Sequence, residues 1–285
     1  MKSIFWMAAL LVVTGCASAR QADRDLVTVL VYNIHAGKDA KGVDNLERVA
    51  AIVRDSKADV VLLQEVDNGT TRSGKVDQTA RLRQLTGFSG AFGKTIDYQG
   101  GEYGIAILSR WPITSDTLIH LVVDSSGISS GVSHEARGAL VAVLRSPTGS
   151  LRVVNTHLDA SRTDSFRIQE VRTVLQVASK QQFVRQVTVP DIWRTLFVGG
   201  DFNSEPKSSV HAAVISAGWR DAFDECGRGR GLSFPEDRPV KRIDYLFIQG
   251  DTRCAEARVL DVQASDHRPV VFHLWVKSLR RFSSR

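Results

Sequence analysis

Short apolar runs recur along this chain, each closed by a polar turn, and only a few stretches carry a helical period. Residues 26–32 are rich in β-branched side chains and almost continuously apolar, which predicts a strand buried on both faces. Asp44 stands where a cap belongs for a helix over 46–54, in which Leu46, Val49, Ala50 and Val53 keep the helical spacing. A second buried strand, 59–64, delivers Glu65, and the turn-rich residues 68–74 form a loop beside it. After a short helix over 78–85, strands are predicted at 88–92, 103–109, 117–123, 139–144 and 151–156, the last two joined as a hairpin at Pro147-Thr148-Gly149. The longest helical pattern runs from 163 to 187, with Phe166, Val171, Val174, Leu175 and Ala178 on one side. A strand at 195–198, a helix at 208–217 and strands at 243–248, 259–262 and 270–276 complete the order. Strands outnumber helices and the helices fall between strand groups, so the expected fold is of the α+β class, sheets packed together with helices outside.

Polar residues close these runs in a repeated way. Asn33 follows the first strand, Glu65 the second, His157 the hairpin, and Asp201 with Asn203 the strand that ends in Gly199-Gly200. Asp266 and His267 sit just ahead of the last apolar run. Separate strands that each deliver an acid, an amide or an imidazole at one end are how a site is assembled on a sheet.

Composition adds an export expectation. Residues 1–15 hold Lys2 and an apolar run, and Val13-Thr14-Gly15-Cys16 follows, a pattern that fits a secretory signal and is too short to span a bilayer. With Cys16 closing it, the stretch resembles a bacterial lipoprotein signal. Cys16 would then be acylated and tie the protein to a membrane through a tether over 16–25. The absence of Asp at position 17 favours the outer membrane, with a secreted or periplasmic protein as the alternative. Loss of residues 1–15 removes only Lys2, so the formal charge falls from +6 to +5. Part of that excess lies in a basic tail, 278–285, and it favours anionic partners. Cys226 and Cys254 are free to pair outside the cytoplasm, and the sequence leaves that open. They lack the close spacing of a zinc site.

Seven stretches, in order, carry a resemblance. They are Tyr32-Asn33-Ile34-His35, Leu63-Gln64-Glu65-Val66-Asp67, the run from Tyr103 to Arg110, Asn155-Thr156-His157-Leu158, Gly199-Gly200-Asp201-Phe202-Asn203, Arg242-Ile243-Asp244-Tyr245-Leu246 and Ser265-Asp266-His267. Together they resemble the endonuclease/exonuclease/phosphatase hydrolases related to pancreatic deoxyribonuclease. The resemblance implies two packed, mostly antiparallel sheets flanked by helices in four layers, over residues 26–277, with the site at one end. It implies a divalent metal, Mg2+ with Mn2+ as the alternative, held by Glu65 as principal ligand with Asn33 and Asp266. It gives Asp201 the role of accepting a proton from the attacking water and Asn203 an amide contact to water or phosphate. His267, oriented by Asp244, would contact the scissile phosphate. His157 would stabilise the phosphoryl oxygens or protonate the leaving group.

Other residues are weaker candidates for the pocket. His35, Arg72, Asp77 and Tyr103 adjoin the matched motifs, and Glu135 with Arg137 is read as a structural pair. The double glycine is read as allowing close backbone approach to substrate. Residues 127–131 have the spacing of a serine nucleophile elbow but lack the strand, turn and helix it needs. The expected enzyme is a metal-dependent phosphoesterase acting as a monomer on a phospholipid headgroup, an inositol-type phosphate or nucleic acid. The alternatives are a nuclease for extracellular nucleic acid and a non-catalytic envelope lipoprotein that keeps the fold.

Overall fold

The computed structural model describes residues 24–124, 134–147, 149–179 and 196–277. The expected signal sequence, Cys16, residues 127–131, the part of the expected helix after 179 and the basic tail lie outside the described residues. No helix among those described is long and apolar enough to cross a membrane.

Twelve strands and five helices alternate in the described residues. Strands β1 (Arg24–Asn33), β2 (Val60–Asn68), β3 (Ser89–Tyr98), β4 (Gly101–Ser109), β11 (Arg253–Val259) and β12 (Val270–Lys277) form one sheet, in the order β11-β12-β1-β2-β4-β3. The other contains β5 (Ile113–Leu121), β6 (Arg137–Ser146), β7 (Gly149–His157), β8 (Leu196–Asp201), β9 (Arg220–Asp221) and β10 (Asp244–Ile248), in the order β5-β6-β7-β8-β10-β9. Each sheet is mixed, with one parallel pair, β1 with β2 and β7 with β8, among antiparallel neighbours. The helices are α1 (Leu46–Asp55), α2 (Gln78–Thr86), α3 (Ser165–Ser179), α4 (Ser209–Ser216) and α5 (Ala222–Cys226).

Side-chain alternation along the strands builds the layers. On β1, Val27, Val29 and Val31 face the opposite sheet, while Leu30 and Tyr32 face α1. On β7 and β8, Val153 and Phe197 lie between the sheets, while Val154 and Val198 pack against α3 and α4. This gives helix, sheet, sheet, helix, and explains why the central strands read as continuously apolar.

Several expectations need correction. The strand expected at 259–262 is Arg253–Val259 instead, because it is an edge strand with charged residues at alternate positions and so shows no apolar run. Asp44 does not cap α1. Asn45 holds the cap position, spends its amide on the carbonyls of Ile34, Lys38 and Ala264, and leaves Asp44 paired with Lys38. Cys226, at the end of α5, is joined by a disulfide to Cys254 on β11, with Cα atoms 5.7 Å apart. The double glycine serves packing: a Cβ on Gly199 would meet Leu62 at 2.7 Å, and one on Gly200, whose φ is +137°, would meet the Thr156 carbonyl at 1.9 Å.

Candidate active site

The alternation that builds the inter-sheet core also places the polar cluster. Asn33 continues the Val27, Val29, Val31 stripe, His157 the stripe of Leu151 and Val153, and Asp201 that of Phe197. Asp244 shares the parity of Leu246 and Ile248 on β10. The site is therefore the open end of the gap between the two sheets, where apolar stripes give way to carboxylates, amides and imidazoles.

Glu65 departs from this rule and needed a special device. It does not end its strand; β2 continues to Asn68, and its pairing with β4 slips between Leu63 and Val66, so that Gln64 and Glu65 oppose one residue. Glu65 takes φ +55° in this bulge and turns toward the cavity. The polar groups at the slip are held by Asn155, fully buried on β7 in the other sheet. Its Nδ2 donates to the carbonyls of Leu63 (2.8 Å) and Ala106 (2.9 Å), and its Oδ1 accepts from Gln64 Nε2 at 2.7 Å. Gln64 and Asn155 thus clamp the two sheets directly behind Glu65.

The cavity, about 350 Å³, is lined by Glu65, Asp201, Asn203, Asp266, His157 and His267 on its floor. Asn33 lies under it, fully buried, with Nδ2 donating to Glu65 Oε1 (3.0 Å) and Asp201 Oδ2 (3.1 Å). Asp201 Oδ1 accepts from the Asn203 backbone at 2.9 Å, and its Oδ2 stands 3.6 Å from Nε2 of both histidines. Burial, then the neighbouring Asp244, pushes the Asp201 carboxyl up to about 7. Asp244 Oδ2 accepts from Ser233 Oγ and pairs with His267 Nδ1 at 2.9 Å. Burial works against charge on His267, but Asp244 and Asp201 outweigh it and raise that imidazole to about 10. His267 is accordingly a buried imidazolium with its Nε2–H turned to Asp201.

His157 has the opposite character. Arg137 Nη1 donates to its Nδ1 at 3.2 Å, and Asn203 Nδ2, which also donates to the Leu158 carbonyl, stands 3.1 Å from its Nε2. A donor on each side disfavours an imidazolium, and burial, Arg137 and His267 together hold its pKa well below the ordinary value. Two buried acids support the loops around it. Asp159 follows on the same chain, and Glu170 of α3 accepts from the Asp159 backbone (2.8 Å) and pairs with His134 at 2.9 Å.

The weaker candidates separate. Tyr103 lines the cavity, and burial with the nearby Glu65 charge holds its phenol well above the usual range. Arg72 also lines it, but its guanidinium is bound by Asp67 at 2.8 Å and stacked over Tyr98 and Tyr103. His35 lies outside that wall, with Nδ1 4.0 Å from Asp266. Asp77 is not at the cavity; its carboxylate caps α2 by accepting from Ala80. Arg137 and Glu135 do pair, at 2.7 Å, yet both line the cavity, so the purely structural reading is corrected. Ile96, Tyr98, Ala160 and Phe234 complete the lining and were not singled out, because nothing in their motifs distinguishes them from core residues.

A second cavity of about 490 Å³ shares Ala160, Asn203, Phe234 and His267 with the first and extends past Arg162, Ser208 and Lys241. The two are thus adjacent, with His267 in both linings.

Residues 30–267 match the Endonuclease/Exonuclease/phosphatase family. The chain belongs to that family. Membership supports an enzyme that hydrolyses phosphate esters. The chain is 26% identical over 256 residues to the uncharacterized protein YbhP of Escherichia coli (strain K12), covering 85% of this chain and 93% of that one. An endonuclease/exonuclease/phosphatase from Bacteroides vulgatus superposes with a TM-score of 0.69 at 20% identity, covering 89% of this chain and all of that one. The mannosyl-6-phosphatase Bt3783 of Bacteroides thetaiotaomicron does so at 0.69 and 18%, over 87% of this chain and 99% of that one. These superpositions show that the fold built here from two six-stranded sheets and their flanking helices is shared.

The family is generally dependent on a divalent metal, and the donors here suit one. Glu65, Asp201 and Asp266 offer hard carboxylate oxygens to one cavity. The Asn33 amide bridges Glu65 and Asp201, two carboxylates that a cation would neutralise. Asp201, Asp244 and His267 also place ligand atoms within 4.8 Å of one another, but Asp244 and His267 already satisfy each other as an ion pair.

Proposed function

We propose that this protein hydrolyses phosphodiesters by in-line attack of water, with Glu65 and Asp266 as the carboxylates that would hold Mg2+ or Mn2+ and Asn33 supporting that shell through its amide. The observation that carries the reading is that two adjacent cavities share Asn203 and His267 in their linings, which offers a phosphate bound there space for two substituents. A bound cation would supply positive charge to the phosphate oxygens. Asp201, with its carboxyl near neutrality, accepts the proton of the attacking water. His267, held charged by Asp244, donates Nε2–H to a phosphoryl oxygen, and Asp244 keeps that ring oriented. His157 acts as a neutral contact rather than as the acid, because Arg137 and Asn203 flank it, so as the P–O bond to the leaving oxygen breaks that oxygen takes its proton from solvent water. Asn203 fixes the Asp201 carboxylate through its backbone. Arg72 and Tyr103 form one wall for the substrate, and His35 supports Asp266 from outside.

Export is part of the same reading: removal of residues 1–15 and acylation of Cys16 would place the enzyme on the outer membrane, with a free periplasmic protein as the alternative. Among substrates, a phospholipid headgroup or inositol-type phosphate is favoured over nucleic acid, since the stacked aromatic and basic lining of the cavity among the described residues is one cluster, Arg72 with Tyr98 and Tyr103, rather than an extended stacking groove.

The test is turnover by the purified chain, with magnesium, of bis(4-nitrophenyl) phosphate, 4-nitrophenyl phosphate, plasmid DNA and phosphatidylinositol vesicles. Diester hydrolysis is expected, lowered on the order of 100-fold or more in Glu65→Ala and His267→Ala. Hydrolysis of the monoester alone would reject the diester reading, and no turnover of any substrate would leave the non-catalytic alternative.

A further inference from the structure

Glu170 stands where an apolar residue would be expected. It lies on the stripe of α3 that carries Phe166, Val174 and Ala178 at helical spacing, and like them it is buried. Burial pushes its carboxyl up, and the bonds from Asp159 and His134 offset only part of that. A carboxyl group so placed is costly unless its bonds do something that an apolar side chain cannot.

Those bonds run to two separate stretches of chain. Oε2 accepts from the Asp159 backbone N–H at 2.8 Å, just past His157, and Oε1 pairs with His134 Nε2 at 2.9 Å, just ahead of Glu135 and Arg137. The His134 ring also lies against Phe166, with centroids 4.7 Å apart, so this stretch is seated on α3 at two points one helical turn apart. Arg167 of the same helix donates to the Asp159 and Ser161 carbonyls and so works on the stretch after His157. Glu170 is bonded to both.

The strands begin to part at this level. The β6–β7 ladder ends at Ala139 with Thr156, where the Thr156 hydroxyl adds a bond to the Gly138 carbonyl. Beyond that pair, Arg137 is paired with Leu121 of β5 and His157 with Asp201 of β8. The 3.2 Å contact from Arg137 Nη1 to His157 Nδ1 is therefore made by side chains of two diverging strands, both in the cavity lining. A single carboxylate that grips the chain on either side of the gap fixes how far apart they stand.

We propose that Glu170 is a positioning residue, whose two oxygens set where Arg137 meets His157 at the cavity. Its effect on turnover rests on the phosphodiesterase reading, but the geometry of the pair does not. The test uses three variants of the full chain. Glu170→Gln can keep both links, its carbonyl oxygen accepting from Asp159 and its amide donating to His134 in the other ring tautomer. Glu170→Leu keeps the volume and neither link, and His134→Phe keeps the packing on Phe166 while cutting one link.

The readouts are the 15N resonance of His157 Nδ1, the melting midpoint, and kcat and KM for bis(4-nitrophenyl) phosphate with magnesium. Glu170→Leu is expected to shift the Nδ1 resonance and to lower kcat about tenfold or more, with KM changed less than about threefold. His134→Phe should move both in the same direction, with kcat down about threefold, while Glu170→Gln should stay within about twofold of the wild type. In an Arg137→Met background, Glu170→Leu should cost less than about twofold further in kcat, because the contact that it sets is already gone.

An unmoved Nδ1 resonance in Glu170→Leu and His134→Phe, with only the melting midpoint lowered, would overturn the proposal and leave Glu170 a packing residue. A full additional loss in the Arg137→Met background would overturn it as well. If Glu170→Leu does not fold, His134→Phe and Glu170→Gln decide by the same resonance. Absence of turnover in the wild-type chain would reject the phosphodiesterase reading separately, with the His157 resonance still deciding the role of Glu170.

Discussion

Replacing Asn155 by Leu removes the clamp behind Glu65 while keeping nearly the same volume. The wild-type side chain satisfies two carbonyls, Leu63 and Ala106, and the Gln64 amide, all in the fully buried gap between the sheets. Leaving a buried polar group without its partner costs about 1–3 kcal/mol, so three such groups set an expected loss of at least about 3 kcal/mol. A protein of ordinary stability would lose a large share of its margin. The assay is urea unfolding followed by fluorescence of the tryptophans, comparing midpoints at unchanged slope. Activity should fall as well, because the freed carbonyls no longer hold the bulge that turns Glu65 inward. Asn155→Gln and Gln64→Leu, made separately, test whether the loss follows the hydrogen bonds or the volume. A loss in Asn155→Leu below about 1 kcal/mol, with full diester turnover, would refute the idea that this amide supports the bulge.

Removal of the Cys226–Cys254 bridge by Cys226→Ser with Cys254→Ser releases a loop spanning a sequence separation of 28, worth about 3.5 kcal/mol on the chain-entropy account, so the melting midpoint should drop by roughly 10 °C. Diester hydrolysis should follow a bell in pH, rising as Asp201 loses its proton near 7 and falling as His267 loses its own near 10, measured as kcat/KM across that range. The same histidine links stability to pH: its folded value lies above the ordinary 6.5, so its contribution is complete below 6.5 and is lost as pH rises through about 10. Denaturation midpoints should therefore fall over that window in the wild type and fall less in His267→Gln. Arg137→Met removes the donor on His157 Nδ1, and the His157 titration followed by NMR should move upward; an unmoved titration would show that burial alone holds the ring neutral.

Most strands of both sheets and the helices α1 to α4 were legible because buried strands and amphipathic helices leave different apolar periods. Asn33, His157 and Asp201 at strand ends, with Asp266 and His267 ahead of the last described strand, were legible for the same reason, as interruptions of those periods. What escaped had no such period. The bulge at Gln64 depends on a partner, Asn155, far along the chain, and a polar residue in each of two apolar strands was its one local trace. The role of Arg137 turned on a tertiary contact with His157, invisible from the Glu135-Ala136-Arg137 segment itself. β9 and α5 are too short to show a pattern, and β11 is an edge whose charges hide it.

β12 is the last strand among the described residues, yet it lies inside its sheet, hydrogen-bonded to β1 on one side and β11 on the other, and His267 lies shortly before it. During synthesis the first strand therefore waits for the last before its edge is covered. A chain truncated before that point lacks the imidazolium and leaves β1 half paired, so incomplete products should be inert rather than partly competent. Assembly of the site would wait until β12 has been made and has paired with β1.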